Sequence, residues 1–172
     1  MKRFGFWILL AFPLLLLPGC GYQVGSLMHP QIKTVAIAPV VNETVHYNLS
    51  ADVRSLLAER FMTDGSLKVV DMSEADCIVY ARILSVKFSE VSWTSREERD
   101  DLIVPNQWRA DLMIEYSVIL PGRGTPLLGN RTTSGSAEFE TGPDMEIGRS
   151  YGIRQAAYAA AKNVVSGVTE GW

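Results

Sequence analysis

Four residues carry side chains that can attack, ligate or shuttle protons near neutral pH: Cys20, His29, His46 and Cys77. A thiolate or an imidazole needs an activating neighbour, and a metal ion needs several ligands at fixed spacing. No CxxC, HExxH or GxSxG pattern surrounds any of them, and both histidines stand in stretches read as loops. Gly122-Arg-Gly124 lacks the third glycine of a phosphate-cradling turn and falls in a hairpin connection. Neither catalysis nor a cofactor or metal site is expected. What remains is one thiol in an unusual place.

Cys20 closes the segment Leu17-Pro18-Gly19-Cys20-Gly21-Tyr22. Lys2 and Arg3 stand at the start, and an uncharged apolar run from Phe4 to Leu17 follows. A basic start, an apolar stretch and a small residue before a cut make a secretory signal peptide. The run is shorter than the roughly 20 apolar residues of a spanning helix, and Pro13 interrupts it. With cysteine after the small residue, the segment resembles the bacterial lipobox, whose thiol takes diacylglycerol and becomes the first residue of the mature chain. Residues 1–19 are then the leader, Cys20 is the lipidation site, and Gly21 rather than aspartate beside it implies an outer-membrane destination. Each buried methylene contributes roughly 0.8 kcal/mol, so several acyl chains hold such a chain firmly.

Composition limits the rest. Sixteen basic and nineteen acidic residues make the chain −3, and loss of Lys2 and Arg3 with the leader brings residues 20–172 to −5. That balance argues against nucleic acid, whose binders are basic. About 150 residues suffice for one domain with its own core. Cys77, left without an intrachain partner, is expected as a small core residue. Residues 20–32 form a short tether that reaches at most about 40 Å at roughly 3.3–3.6 Å per residue. The domain, residues 33–172, therefore stays close to its membrane.

Within that domain the apolar pattern alternates between two periods. Residues 33–40 read as a β-branched first strand. A polar connection leads to a helix in which Leu49, Val53, Leu56, Leu57 and Phe61 recur at helical spacing, with Asn48 or Ser50 able to cap and Gly65 to stop it. A short strand over 67–71 precedes a long one over 77–92. In the latter, the apolar set shifts phase from Cys77, Val79, Ala81 and Ile83 to Leu84, Val86 and Phe88. The shift predicts a β-bulge near Leu84 or a strand leaving the covered core. Residues 93–107 read as a charged hairpin loop containing Arg96-Glu-Glu-Arg-Asp-Asp101. Ala110, Leu112, Ile114, Tyr116 and Val118 then alternate with polar residues, a clear strand signal. A turn at Pro121-Gly-Arg-Gly124, a strand over 127–140 and a second helix follow. That helix is firmest from Tyr151 to Val168, with Ala156, Ala157, Ala160, Ala161, Val164 and Val168 on its core face.

Several stretches together carry a resemblance. They are Cys20-Gly21-Tyr22, Ile32-Lys-Thr-Val-Ala-Ile-Ala-Pro-Val-Val-Asn-Glu-Thr44, Phe61-Met-Thr-Asp-Gly-Ser-Leu-Lys-Val-Val70 and Glu74-Ala-Asp-Cys-Ile-Val-Tyr-Ala-Arg-Ile83. In them the chain resembles the lipopolysaccharide-assembly lipoprotein family, LptE. The resemblance implies an α+β domain, two helices packed on one face of a four- to five-stranded mixed sheet. It also implies a place as a plug inside the outer-membrane β-barrel LptD, where members assist barrel assembly and the placing of lipopolysaccharide in the outer leaflet. For lipopolysaccharide phosphates, or the barrel, Arg96, Arg99, Arg123 and Arg131 are the cations available. The alternative is a lipoprotein of similar fold that activates periplasmic cell-wall synthases or belongs to a secretion complex. The short tether speaks against an activator that must reach through peptidoglycan.

Overall fold

The order of elements in the computed structural model is β1 (Thr34–Ile37), β2 (Val41–Asn42), α1 (Leu49–Asp64), β3 (Lys68–Val69), β4 (Cys77–Arg96), β5 (Arg99–Ile119), β6 (Leu128–Glu140) and α2 (Met145–Thr169). The structure describes residues 31–96, 99–140 and 144–170, and over 94–104 the backbone alone. The strands form one mixed sheet in the order β3-β1-β4-β5-β6, with β2 continuing beside β4 where β1 has ended. β1 runs parallel to both neighbours, Val35 lying opposite Val69 of β3 and Cys77 of β4. β4, β5 and β6 are antiparallel. The expected α+β architecture is what the chain adopts, with the two-residue β2 as an addition.

Both helices cover the same face. The inward residues of β5, Ala110, Leu112, Ile114, Tyr116 and Val118, are all buried, as the alternation requires. In β4, Cys77, Val79, Ala81 and Ile83 are buried; the register then slips between Ile83 and Ser85. Beyond the slip Val86 faces Leu112 and Phe88 faces Ala110, so the even-numbered residues now point to the core side. The bulge at Leu84 is the physical cause of the phase shift.

Small residues let α2 lie directly on the sheet. A Cβ added to Gly135 of β6 would overlap the backbone of Ala156 and Ala160. Phe139 fills the notch left by Gly148 and Gly152, and the Tyr116 hydroxyl sits under Gly167. The alanine stripe is core: Ala156, Ala157, Ala160 and Ala161 have no exposed surface. Asp144 caps α2 by accepting from the Glu146 amide at 2.9 Å. Asn48 occupies the N-cap of α1 in the left-handed region, φ 62°, without a side-chain bond; its carbonyl accepts from Ala51 and Asp52. Asparagine tolerates that backbone better than most residues. Gly65 stops α1 at φ 72°, its amide donating to the Phe61 carbonyl.

Residues 93–96 and 99–107 are not a loop. β4 and β5 continue through them, pairing Trp93 with Pro105, Thr94 with Val104 and Ser95 with Ile103. The charge run hides a ladder built from Thr94, Ile103 and Val104, types that favour strands. Pro105 donates no amide to that ladder, and it sits beside register slips at Ser92.

Cys77 is buried and donates weakly through Sγ to the Thr34 carbonyl at 3.6 Å. Burial first, and the negative charge of Asp76 second, push its thiol from 9.0 up to about 11. Folding therefore favours the protonated thiol. Its contribution should be complete below pH 9.0 and lost as the pH rises through about 11. Urea midpoints measured across that range should fall more steeply for wild type than for Cys77→Ala. Parallel curves would show that the thiol titrates alike folded and unfolded.

Candidate functional site

The four arginines named above do not converge. Arg96 and Arg99 are partners in backbone register at the far end of the β4–β5 ladder. Arg123 lies in the exposed β5–β6 turn, its amide bonded to the Leu120 carbonyl at 3.1 Å. Arg131 stands on β6 opposite Tyr116, half-buried, and lines a cavity of about 540 Å³ with Thr133 and Asn163. Antiparallel pairing puts the hairpin and the β5–β6 turn at opposite ends of the sheet. Cys20 and residues 20–30 of the tether lie outside the described residues.

The chain enters the sheet at the turn's end, since Val35 of β1 pairs with Cys77 at the start of β4. A carboxylate clamp fixes this entry. Asp76 Oδ2 accepts from the amides of Lys33 and Thr34, both at 2.9 Å, and the Asp76 amide donates to Thr34 Oγ1 at 2.8 Å. Those bonds, the Lys33 amide's foremost, hold the Asp76 carboxyl below its ordinary range.

Exposed apolar groups gather toward the other end. Tyr47 is 95% exposed, Val45 87%, Ile147 69% and Trp93 54%. The loop bearing Val45 and Tyr47 is braced from inside. Asn42 Oδ1 accepts from the Thr44 amide and hydroxyl, and Asn42 Nδ2 donates to the His46 carbonyl at 2.8 Å. The His46 ring meets Phe88 edge-on, Phe88 meets Phe139 likewise, and Arg149 lies 5.6 Å over Phe88. This brings the loop, the start of α2 and β4 together below the hairpin.

The uncovered face of the sheet is polar and paired across strands. Arg82 bridges Glu43 and Glu115 at 3.3 and 3.8 Å. Arg109 binds Glu138 at 2.6 Å, which raises its pKa, and Lys87 stands opposite Asp111. Sequence alternation announced polar residues here but not their partners. Among the described residues, no group of three or more His, Cys, Asp or Glu could hold a metal ion. No helix among them is long and apolar enough to cross a membrane.

The domain is a two-layer α+β unit whose exposed apolar and charged groups lie at the two sheet ends and along an open polar face. The family model for lipopolysaccharide assembly, LptE, matches residues 32–166, and the chain belongs to that family. No curated protein matches it. Among solved structures, it is similar to a protein from Xanthomonas campestris at TM-score 0.61 and 8% identity, covering 89% of each chain. It is also similar to a hypothetical protein from Chlamydia trachomatis, at TM-score 0.55 and 14% identity, over 80% of this chain and 96% of that one. A minor lipoprotein from Acinetobacter baumannii aligns at TM-score 0.52 and 11% identity, over 81% and 94%. At such identities the likeness is one of fold.

Proposed function

We propose that this chain is an outer-membrane lipoprotein, anchored at the periplasmic face through Cys20, that plugs an LptD-type β-barrel and assists its assembly in lipopolysaccharide transport. Family membership over residues 32–166 supports the setting. The observation that carries the plug is the placement of two projecting connections at opposite ends of one sheet. A domain enclosed by a wall meets its partner at both ends, whereas one docked from the side needs a single face. The polar, ion-paired sheet face suits the polar interior of a membrane barrel.

Photo-crosslinking side chains placed at residues 99 and 123 test this directly. Both should trap the same large outer-membrane protein, and depletion should lower surface lipopolysaccharide. Trapping from one site alone, or of a cell-wall synthase, would replace the plug with the side-docking alternative.

A further inference from the structure

Beside the first turns of α2 lies an open groove of about 650 Å³ that none of the bonds or ion pairs described above fills. Its apolar part consists of Phe139 from β6 and Ile147 and Tyr151 from α2. Phe139 is buried, but Ile147 and Tyr151 remain 69% and 58% exposed, although they are neighbours one turn apart. Such a pair on an otherwise polar helix surface favours a partner.

The rim says which partner. Glu138, Glu140 and Asp144 line it, and among the described residues no lysine or arginine does. Glu138 is matched by Arg109 on the sheet side, while Arg149 turns away to lie over Phe88. Asp144 is engaged as the N-cap of α2, so Glu140 is the carboxylate that leaves the rim negative and disfavours phosphates and other anionic head groups. The edge position of β6 adds a second constraint. It is the last strand of the sheet, and α2 lies on its core face from Gly135 to Phe139, so what stays open is the strand's outer edge rather than its face. A strand edge ending in an apolar groove is a form that receives extended peptides, the backbone pairing along the edge and one side chain entering the groove.

We propose that this groove takes an extended segment of a partner protein in which an apolar side chain is flanked by lysine or arginine. The site goes beyond the barrel reading and stands on its own charge and shape, whichever protein supplies the segment.

The test uses the full-length protein in neutral detergent micelles and two labelled peptides, one alternating isoleucine with lysine and one alternating isoleucine with glutamate. Fluorescence anisotropy should show the lysine peptide binding at least about tenfold more tightly. Glu140→Lys should remove most of that preference, and Ile147→Ser should weaken the lysine peptide about tenfold. Glu59→Lys, an exposed change on α1, should leave it unaltered. Circular dichroism confirms that each variant is folded, since all three positions are exposed. Equal binding of the two peptides would overturn the proposal. So would equal losses from Glu140→Lys and Glu59→Lys, or displacement of the peptide from this groove by phosphatidylglycerol vesicles.

Discussion

Gly135→Val should destabilise the domain by about 3 kcal/mol or more, at the top of the usual range for overpacking. The atoms a new Cβ would meet are the Ala156 carbonyl and the Ala160 amide, both backbone. A crowded side chain can change rotamer, but a helix backbone can only move away as a unit. Moving α2 would also lift Ala157, Ala161 and Val164 from the core they fill. With a urea slope of roughly 1–3 kcal/mol per molar, the midpoint should drop by about 1 M or more. Gly129, on the same strand, has nothing within 4 Å of an added Cβ. Gly129→Val should therefore be close to neutral. Equal midpoints for the two variants would mean that α2 does not rest on Gly135.

The second large effect concerns the anchor. On the proposed reading, Cys20→Ala removes the thiol that takes the lipid, so the chain is either cut without acylation or left uncut. Each lost methylene forfeits roughly 0.8 kcal/mol of membrane attachment, which over whole acyl chains changes a bound protein into a free one. The variant should take up no labelled palmitate and should leave the outer-membrane fraction, as soluble chain or as uncleaved precursor. Palmitate uptake equal to wild type would remove Cys20 from its assigned role.

The parts of the fold that could be read beforehand were those in which one residue type answers one local demand. Alternation in β5, the phase shift at Leu84 and the stop at Gly65 each have a cause within a few positions. The alanine stripe likewise announced a close approach, although Gly135 as its counterpart lies some distance away in sequence. The extended hairpin was hidden because charge in 96–101 outweighs the β-branched residues around it. The pattern leaves Asn48 or Ser50 as the side-chain cap, yet the chain uses Asn48 for its tolerance of positive φ, without a side-chain bond. The open-face ion pairs depend on cross-strand register, which joins residues far apart in sequence, as Arg82 with Glu115 and Arg109 with Glu138. The groove beside α2 was not legible either. Ile147 and Glu140 become neighbours only when β6 and α2 fold back on each other.

The carboxylate clamp at the start of β1 has a mechanical meaning. Were the chain anchored as proposed, tension reaching Lys33 along the line of β1 would load a strand flanked on both sides by parallel partners. Such a strand is loaded in shear: Lys68 to Lys33, Val70 to Val35 and Ala38 to Val79 strain together instead of opening one after another. An edge strand pulled sideways would peel like a zipper. Asp76 takes the first tug by gripping two successive amides, and it loosens only when acid protonates a carboxyl whose pKa already lies low. On the proposed anchoring through Cys20, the tether would join the domain at a point that resists shear.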